Sequence, residues 1–428
     1  MLFTAKFSLV LLPIEHAHVA APLLRGLQKL RWMVYVALVT LTACGGGGDS
    51  RPTIDASGTV VKKVAALSVA AQLGEQIFHD RSLSGSGKMA CATCHVPTKA
   101  HGPTGNQPVS LGGISLTEAG TRAAPSLRYL QLTPAFSFDK NGTPAGGFNR
   151  DGRAATLALQ ALRPFLAAHE MANLNANDVS AKLAHTDYAD AFRKNFGIAI
   201  FDHPEQALEQ VGLALQQYQK ENPEFFPFDA KYDQFLAGRV SLTATELRGL
   251  QLFNDRNKGN CAACHPSGKS ASGALPLFTD FSYDNIGVPR NPLIPANADT
   301  TYADLGLCGP LRQDLRERAE LCGKFKVPTL RNITTRQVFF HNGRFTNLRD
   351  VLGFYVRRDT NPEEWYPRLP DGSINKFDDL PEAYRANVNV SEGPYNRKPG
   401  DAPALSPAEI EDVIAFLGTL TDGYKVTN

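Results

Sequence analysis

Two pentapeptides carry the most specific chemistry in this chain, Cys91-Ala92-Thr93-Cys94-His95 and Cys261-Ala262-Ala263-Cys264-His265. Cys-x-x-Cys-His spacing suits two thioether bonds to the vinyl groups of a c-type haem and places the imidazole as proximal iron ligand. Zinc would need four ligands at each site, and a redox dithiol has no use for the His. The expectation is two covalently bound haems, on Cys91, Cys94 and His95 and on Cys261, Cys264 and His265. Of seven Cys, Cys44, Cys308 and Cys322 remain. In an oxidising compartment Cys308 and Cys322 are expected to pair, closing a loop of about 15 residues worth about 3 kcal/mol on the chain-entropy picture. Two unpaired buried thiols are the alternative.

The elements that position these motifs come in two copies. The stretch from Leu73, LGEQIFHDR, recurs from Arg248 as RGLQLFNDR, with five identities in nine, and each copy leads into its pentapeptide. Such self-similarity indicates an internal duplication. Each copy also closes with a helix. Pro204 opens one with Leu208, Val211, Leu215 and Tyr218 on a single face. Ser406-Pro407-Ala408-Glu409 caps the other, whose stripe is Ile410, Val413, Ile414, Leu417 and Leu420. A linker is expected at 222–242. The chain reads as mainly α, in two domains with little sheet signal.

Residues 1–43 have the character of a lipoprotein-type export signal. Arg25, Lys29 and Arg31 precede an apolar run from Trp32 to Leu41, and Leu41-Thr42-Ala43-Cys44 leads into Gly45 to Gly48. The run is too short to span a bilayer. Cleavage before Cys44 and a lipid on its sulfur would place the mature protein in the periplasm, anchored to a membrane by a flexible tether over 44–60. An ordinary signal with a chance Cys is the alternative. Lys+Arg 44 against Asp+Glu 42 gives a net charge of +2, with no electrostatic case for nucleic acid.

Four stretches together carry a family resemblance: Phe78-His79-Asp80-Arg81-Ser82-Leu83-Ser84, Asp151-Gly152-Arg153-Ala154, Gln160 through Glu170-Met171, and Phe325-Lys326-Val327-Pro328-Thr329-Leu330-Arg331-Asn332. Over nearly all of 60–425 the chain resembles the bacterial di-haem cytochrome c peroxidase and MauG family. The resemblance implies two cytochrome c-like haem domains in tandem, a peroxidatic one over 61–235 and an electron-transfer one over 236–428. It implies that Glu170 is the distal acid that moves a proton between the peroxide oxygens, and that Gln160 is the distal glutamine, with Pro164 shaping the pocket. His169, His79 and His101 are rival distal groups. A solvated helix-end carboxylate and an exposed amide are the plain readings of Glu170 and Gln160.

Departures from the family pattern sharpen these expectations. Gly113 stands where many members carry a His that blocks the first haem, which implies an open first site. The four Met are Met1, Met33, Met89 and Met171, so the second half has none to ligate its iron. Tyr355 falls where MauG-like members place a tyrosine ligand, and His341 is the competing ligand. An anionic oxygen donor would give the second haem a low potential. Arg150 replaces the family's inter-haem tryptophan, so charge must pass by another group or directly. Ala123 replaces an Asn that holds an inter-domain calcium, which is expected to be absent or loosely bound.

Three functions follow from different classes. One is a peroxidase that reduces hydrogen peroxide with electrons from a small redox protein, a cytochrome c or a cupredoxin. Another is a MauG-like enzyme that oxidises side chains of a partner protein. The third is a di-haem electron carrier, which would need both irons saturated, from Met89, His101 or His79 in the first half. Family members often form a homodimer, but no self-complementary face is legible here.

Overall fold

The computed structural model describes residues 66–426 and two strand pieces, Thr53–Ile54 and Val60–Val61, which pair antiparallel with each other. The export signal expected over 1–43, and Cys44, lie outside the described residues. Ten helices follow in order: α1 (Val69–His79), α2 (Cys91–Cys94), α3 (Leu157–Leu166), α4 (Ala176–Leu183), α5 (Ala189–Phe196), α6 (Pro204–Glu221), α7 (Lys231–Leu236), α8 (Ala244–Asn254), α9 (Leu348–Arg357) and α10 (Pro407–Gly418). Among the described residues sheet is confined to two-residue antiparallel pairs, such as Tyr283–Asp284 with Phe325–Lys326. Among the described residues no helix is long and apolar enough to cross a membrane.

The duplication is physical. Helix α1 starts on Ser68, whose hydroxyl accepts from Ala71 N, and α8 starts on the Thr243–Glu246 capping box. Gly74 in α1 lies so close to α6 that a Cβ would stand 2.1 Å from the Ala214 carbonyl oxygen. Gly249 in α8 lies as close to α10, 1.9 Å from the Asp412 carbonyl oxygen. One turn further along, Tyr218 and Phe416 occupy equivalent places, and their rings meet Phe78 and Phe253. The aligned glycines are therefore there because two helix backbones touch. Gly249→Ala is expected to cost about 1–3 kcal/mol by overpacking that crossing. Gly418→Ala, with open space around it, should change stability by less than about 1 kcal/mol. Thermal melts of the two variants check this, and equal midpoints would refute the close-crossing account.

Two separate hydrophobic cores result. One gathers Leu73, Phe78, Phe165, Val179, Val211 and Leu215. The other gathers Phe253, Phe278, Phe354, Val413, Phe416 and Leu420. The stretch expected as a linker contains α7, whose Tyr232 packs in the second core and whose Asp233 pairs with Arg331, both fully buried. Apolar and ionic anchors on that short segment leave it no freedom as a tether. Cys308 and Cys322 are bonded, with Cα atoms 4.9 Å apart, as expected. The halves clasp reciprocally: Ala123 N donates to His341 O and Lys326 N to Arg150 O, each at 2.8 Å. Arg122 crosses the seam to Asp304 while also holding Asp151.

Candidate haem-binding site

Each pentapeptide is held in a short helical turn, α2 in one case and Cys261–Ala263 in the other. His95 Nδ1 lies 3.3 Å from the His101 carbonyl oxygen, and His265 Nδ1 lies 2.7 Å from that of Phe278. A carbonyl can only accept, so Nδ1 carries the proton and Nε2 the lone pair, the tautomer that ligates a metal. Burial lowers the His95 imidazole to about 4 and favours the same neutral ring. The four thiols are pushed up by burial, Cys91, Cys261 and Cys264 to about 12. Reactive dithiols and zinc thiolates need the opposite shift.

A second repeated frame holds the carbonyls that hold the histidines. Pro125-Ser126-Leu127-Arg128 and Pro328-Thr329-Leu330-Arg331 superpose in role. Ser126 Oγ donates to Ala100 O and Thr329 Oγ1 to Leu277 O, each at 2.6 Å. Those acceptors immediately precede His101 and Phe278, which both take left-handed backbone (φ 52° and 54°). The same hydroxyls accept from Arg128 N and Arg331 N at 3.1 Å. This pair lies beyond the repeat that ends at the pentapeptides and is not among the site residues expected from sequence. Continuing the alignment would have found it.

A third frame sets the opposite side. Phe148 N bonds Ala154 O and Phe339 N bonds Phe345 O, both at 2.9 Å. Asn149 and Phe340 share φ 65°, and Thr156 and Asn347 then cap α3 and α9. In this register Arg150 matches His341, and Pro164 matches Tyr355. The halves thus carry one scaffold with different side chains at matching positions, of which Arg150, His341 and Tyr355 line the cavity.

Glu170 follows α3 in a tight turn, its N bonded to Ala167 O, its O accepting from Gly113 N, and Met171 N bonded to Pro164 O. It lies close enough to Cys91 and Cys94 for its charge to raise both thiols. Burial raises the Glu170 carboxyl, against the opposing pull of His169, Arg153 and Arg163. Gly113 has φ 80°, and a Cβ there would stand 2.5 Å from Glu118 Cγ and 2.9 Å from Ala168 O. A side chain at 113 does not fit this loop arrangement. Gln160 is half-buried on α3 and lines a cavity of about 310 Å³ that reaches the second pentapeptide. Of the rival distal groups, His79 and His169 are exposed. His101 is fully buried, stacked on Phe225 at 4.1 Å, on the side where its carbonyl serves His95.

In the second half Tyr355 lines the cavity and lies within electrostatic reach of Cys261 and Cys264. Its ring stacks near Tyr395, which lies under the Arg358 guanidinium at 4.2 Å. His341 also borders the cavity, but its ring is stacked on Phe325 at 3.7 Å and its Nε2 is 3.7 Å from Asp379. The donor chemistry fits a c-type haem at each motif: two thiols free for thioethers and an oriented imidazole, and at the second motif a cavity with mixed walls, apolar side chains such as Phe253, Leu352 and Val413 beside charged ones such as Asp284, Arg150 and Arg336.

A family model described as di-haem cytochrome c peroxidase matches residues 68–241. Methylamine utilization protein MauG of Paracoccus denitrificans is 35% identical over 86% of this chain and 92% of its own length. Cytochrome c551 peroxidase of Nitrosomonas europaea is 28% identical over 68% of this chain and 74% of its own. The crystal structure of the diheme peroxidase BthA of Burkholderia thailandensis is similar with a TM-score of 0.77 and 38% identity, covering 86% of this chain and 89% of that one. Sequence, matched length and backbone agree, and the chain belongs to the di-haem cytochrome c peroxidase and MauG family of enzymes, which carry two c-type haems.

Proposed function

We propose that this protein reduces hydrogen peroxide to water at the first haem, with electrons from a small redox protein entering at the second. The observation that carries this reading is the unequal occupancy of one repeated scaffold. Pro164, which has no donor atom to offer, stands where the second half has Tyr355, so the first half would leave its haem without a side-chain ligand at this position where the second half would supply one. A bound haem would supply the redox equivalents and the peroxide site. Cys91, Cys94 and His95 would hold the first haem, and Cys261, Cys264, His265 and Tyr355 would hold the second. Glu170 takes a proton from the bound peroxide and returns it to the leaving oxygen, and Gln160 orients the peroxide by an amide hydrogen bond. Two electrons and two protons convert one peroxide to two waters.

The haem domains are 61–235 and 236–428, in tandem, with α7 leaning on the second core. The basic and apolar run before Leu41-Thr42-Ala43-Cys44 supports a periplasmic location with a lipid anchor at Cys44. Oxidised protein is expected to give one high-spin and one low-spin electron paramagnetic resonance signal. Two low-spin signals would make the molecule an electron carrier.

Tyr355 gives specific support to a second reading, a MauG-like oxidase of a partner protein's side chains, because an anionic donor resists reduction of the second iron. Steady-state oxidation of reduced cytochrome c by peroxide separates the two. Catalytic consumption supports the peroxidase, whereas poor turnover with a long-lived oxidised state supports the MauG-like enzyme.

A further inference from the structure

The guanidiniums around the seam divide into two kinds. Arg122 has Asp151 and Asp304, Arg128 has Asp422, and Arg331 has Asp233. Arg150 and Arg336 have no carboxylate partner among the described residues, although both border the cavity. Arg150 gives Nε and Nη2 to a single acceptor, the Ala123 carbonyl, at 3.1 and 3.0 Å. Arg336 gives Nη2 to the next carbonyl, Ala124, at 2.9 Å, and Nε to Val338 O at 3.2 Å. Each guanidinium has five N–H donors, so both retain several without a partner.

These two cations come from opposite halves and repel each other. Burial and that repulsion bring Arg150 down to about 9, and burial brings Arg336 down to about 10. Asp304 is near Arg150, but Arg122 already occupies both of its oxygens. Lys326 adds a third desolvated cation, spent on the Gly147 carbonyl. Arg336 also reaches the first haem site: it packs beside Gly102, and its charge bears on His95. Both arginine side chains are half-buried beside the cavity, and a desolvated charge with free donors costs free energy that an anion in the cavity would offset. A c-type haem attached by its vinyl edge turns two propionate carboxylates away from the thioethers, and carboxylates are what a guanidinium fork matches.

We propose that Arg150 and Arg336 clamp haem propionates across the seam, one guanidinium from each half, and that this fixed positive charge sets the reduction potential of the haem they hold. The proposal rests on the haems being attached at the two pentapeptides, and not on which substrate is oxidised. Arg150 is then a positioning and electrostatic residue at the inter-haem position, with a role that an oxidisable ring there could not fill.

Spectroelectrochemical titration of the full-length holoprotein tests this. Arg150→Gln and Arg336→Gln each keep a donor for the Ala123 or Ala124 carbonyl and remove the charge. Each is expected to favour the ferric state of at least one haem by about tenfold or more, which for a one-electron couple is about 59 mV. Arg150→Lys and Arg336→Lys keep the charge and should remain within about threefold of wild type. Four unchanged variants, or Lys variants that fall as far as the Gln variants, would overturn the proposal. Resonance Raman spectroscopy of the wild type supplies a test that needs no variant. Propionate bending modes in the hydrogen-bonded position support the clamp, and modes in the free position overturn it. A pyridine haemochrome assay showing fewer than two haems per chain would instead overturn the attachment reading beneath it.

Discussion

Replacing Glu170 with Gln is expected to slow peroxide cleavage by about 10²–10⁴-fold, the usual contribution of a positioned acid–base group. The substitution keeps shape and hydrogen-bonding reach while removing the site that takes a proton from one peroxide oxygen and gives it to the other. The turn that places residue 170 is made by backbone bonds from Gly113, Ala167 and Met171, and these do not depend on its side chain. Both haems should therefore remain attached. Stopped-flow mixing with peroxide reads the effect, and a change below about threefold would remove Glu170 from the mechanism. The pH profile gives a second signature. The group must be ionised to accept a proton, and burial raises its carboxyl from the ordinary range near about 4.3. Wild-type cleavage should then fall, as pH drops, at a pH above that of an ordinary glutamate. Arg153, Arg163 and His169 limit the displacement. In Glu170→Gln this acid limb should vanish.

Tyr355→Met should raise the potential of the second haem by on the order of 0.1 V or more, within the roughly 0.8 V range over which axial ligands tune haem iron. An anionic oxygen stabilises ferric iron, whereas a neutral thioether favours the ferrous state. The position lies on α9 at the point of the repeated scaffold that faces Cys261 and Cys264, so a Met side chain starts from the same backbone. The reductive titration should show the second couple moving and the first nearly still. His341 provides the control, because it borders the same cavity but is stacked on Phe325. If Tyr355→Met leaves the second haem's spectrum and potential unchanged while His341→Ala alters both, the ligand is His341. A raised second potential should also ease electron delivery to the peroxide site, shifting behaviour toward fast cytochrome c oxidation.

Much of this molecule was legible from its residues because the informative signals are local. Cys-x-x-Cys-His is a covalent attachment code within five residues, and the duplicated approach helices repeat within nine. Capping boxes at Thr243–Glu246 and Ser406–Glu409 announce helix starts by side-chain chemistry alone. With four Cys assigned to haem and Cys44 to a lipid, an oxidising compartment makes a Cys308–Cys322 bond the expectation, and the two are bonded. Less legible was the stretch from 222 to 242, where Pro, Phe and Asp suggest a linker. Tyr232 and Asp233 are anchored there by partners some 100 or more residues away, including Arg331 and Thr419.

By itself the sequence determined the haem-binding chemistry, the two-fold repetition and the choice of side chains, Pro164 in one half and Tyr355 in the other. Tertiary structure decided which of those side chains meet. Arg150 and Arg336 lie 186 positions apart in a chain whose net charge is nearly balanced, and nothing local shows that both lack a carboxylate. Only the folded seam, where Asp304 is already taken by Arg122, leaves them without a carboxylate partner among the described residues. The physical reason is that covalent and capping preferences act over a few residues. The cost of a buried charge, by contrast, depends on every group the fold brings within a few ångströms of it.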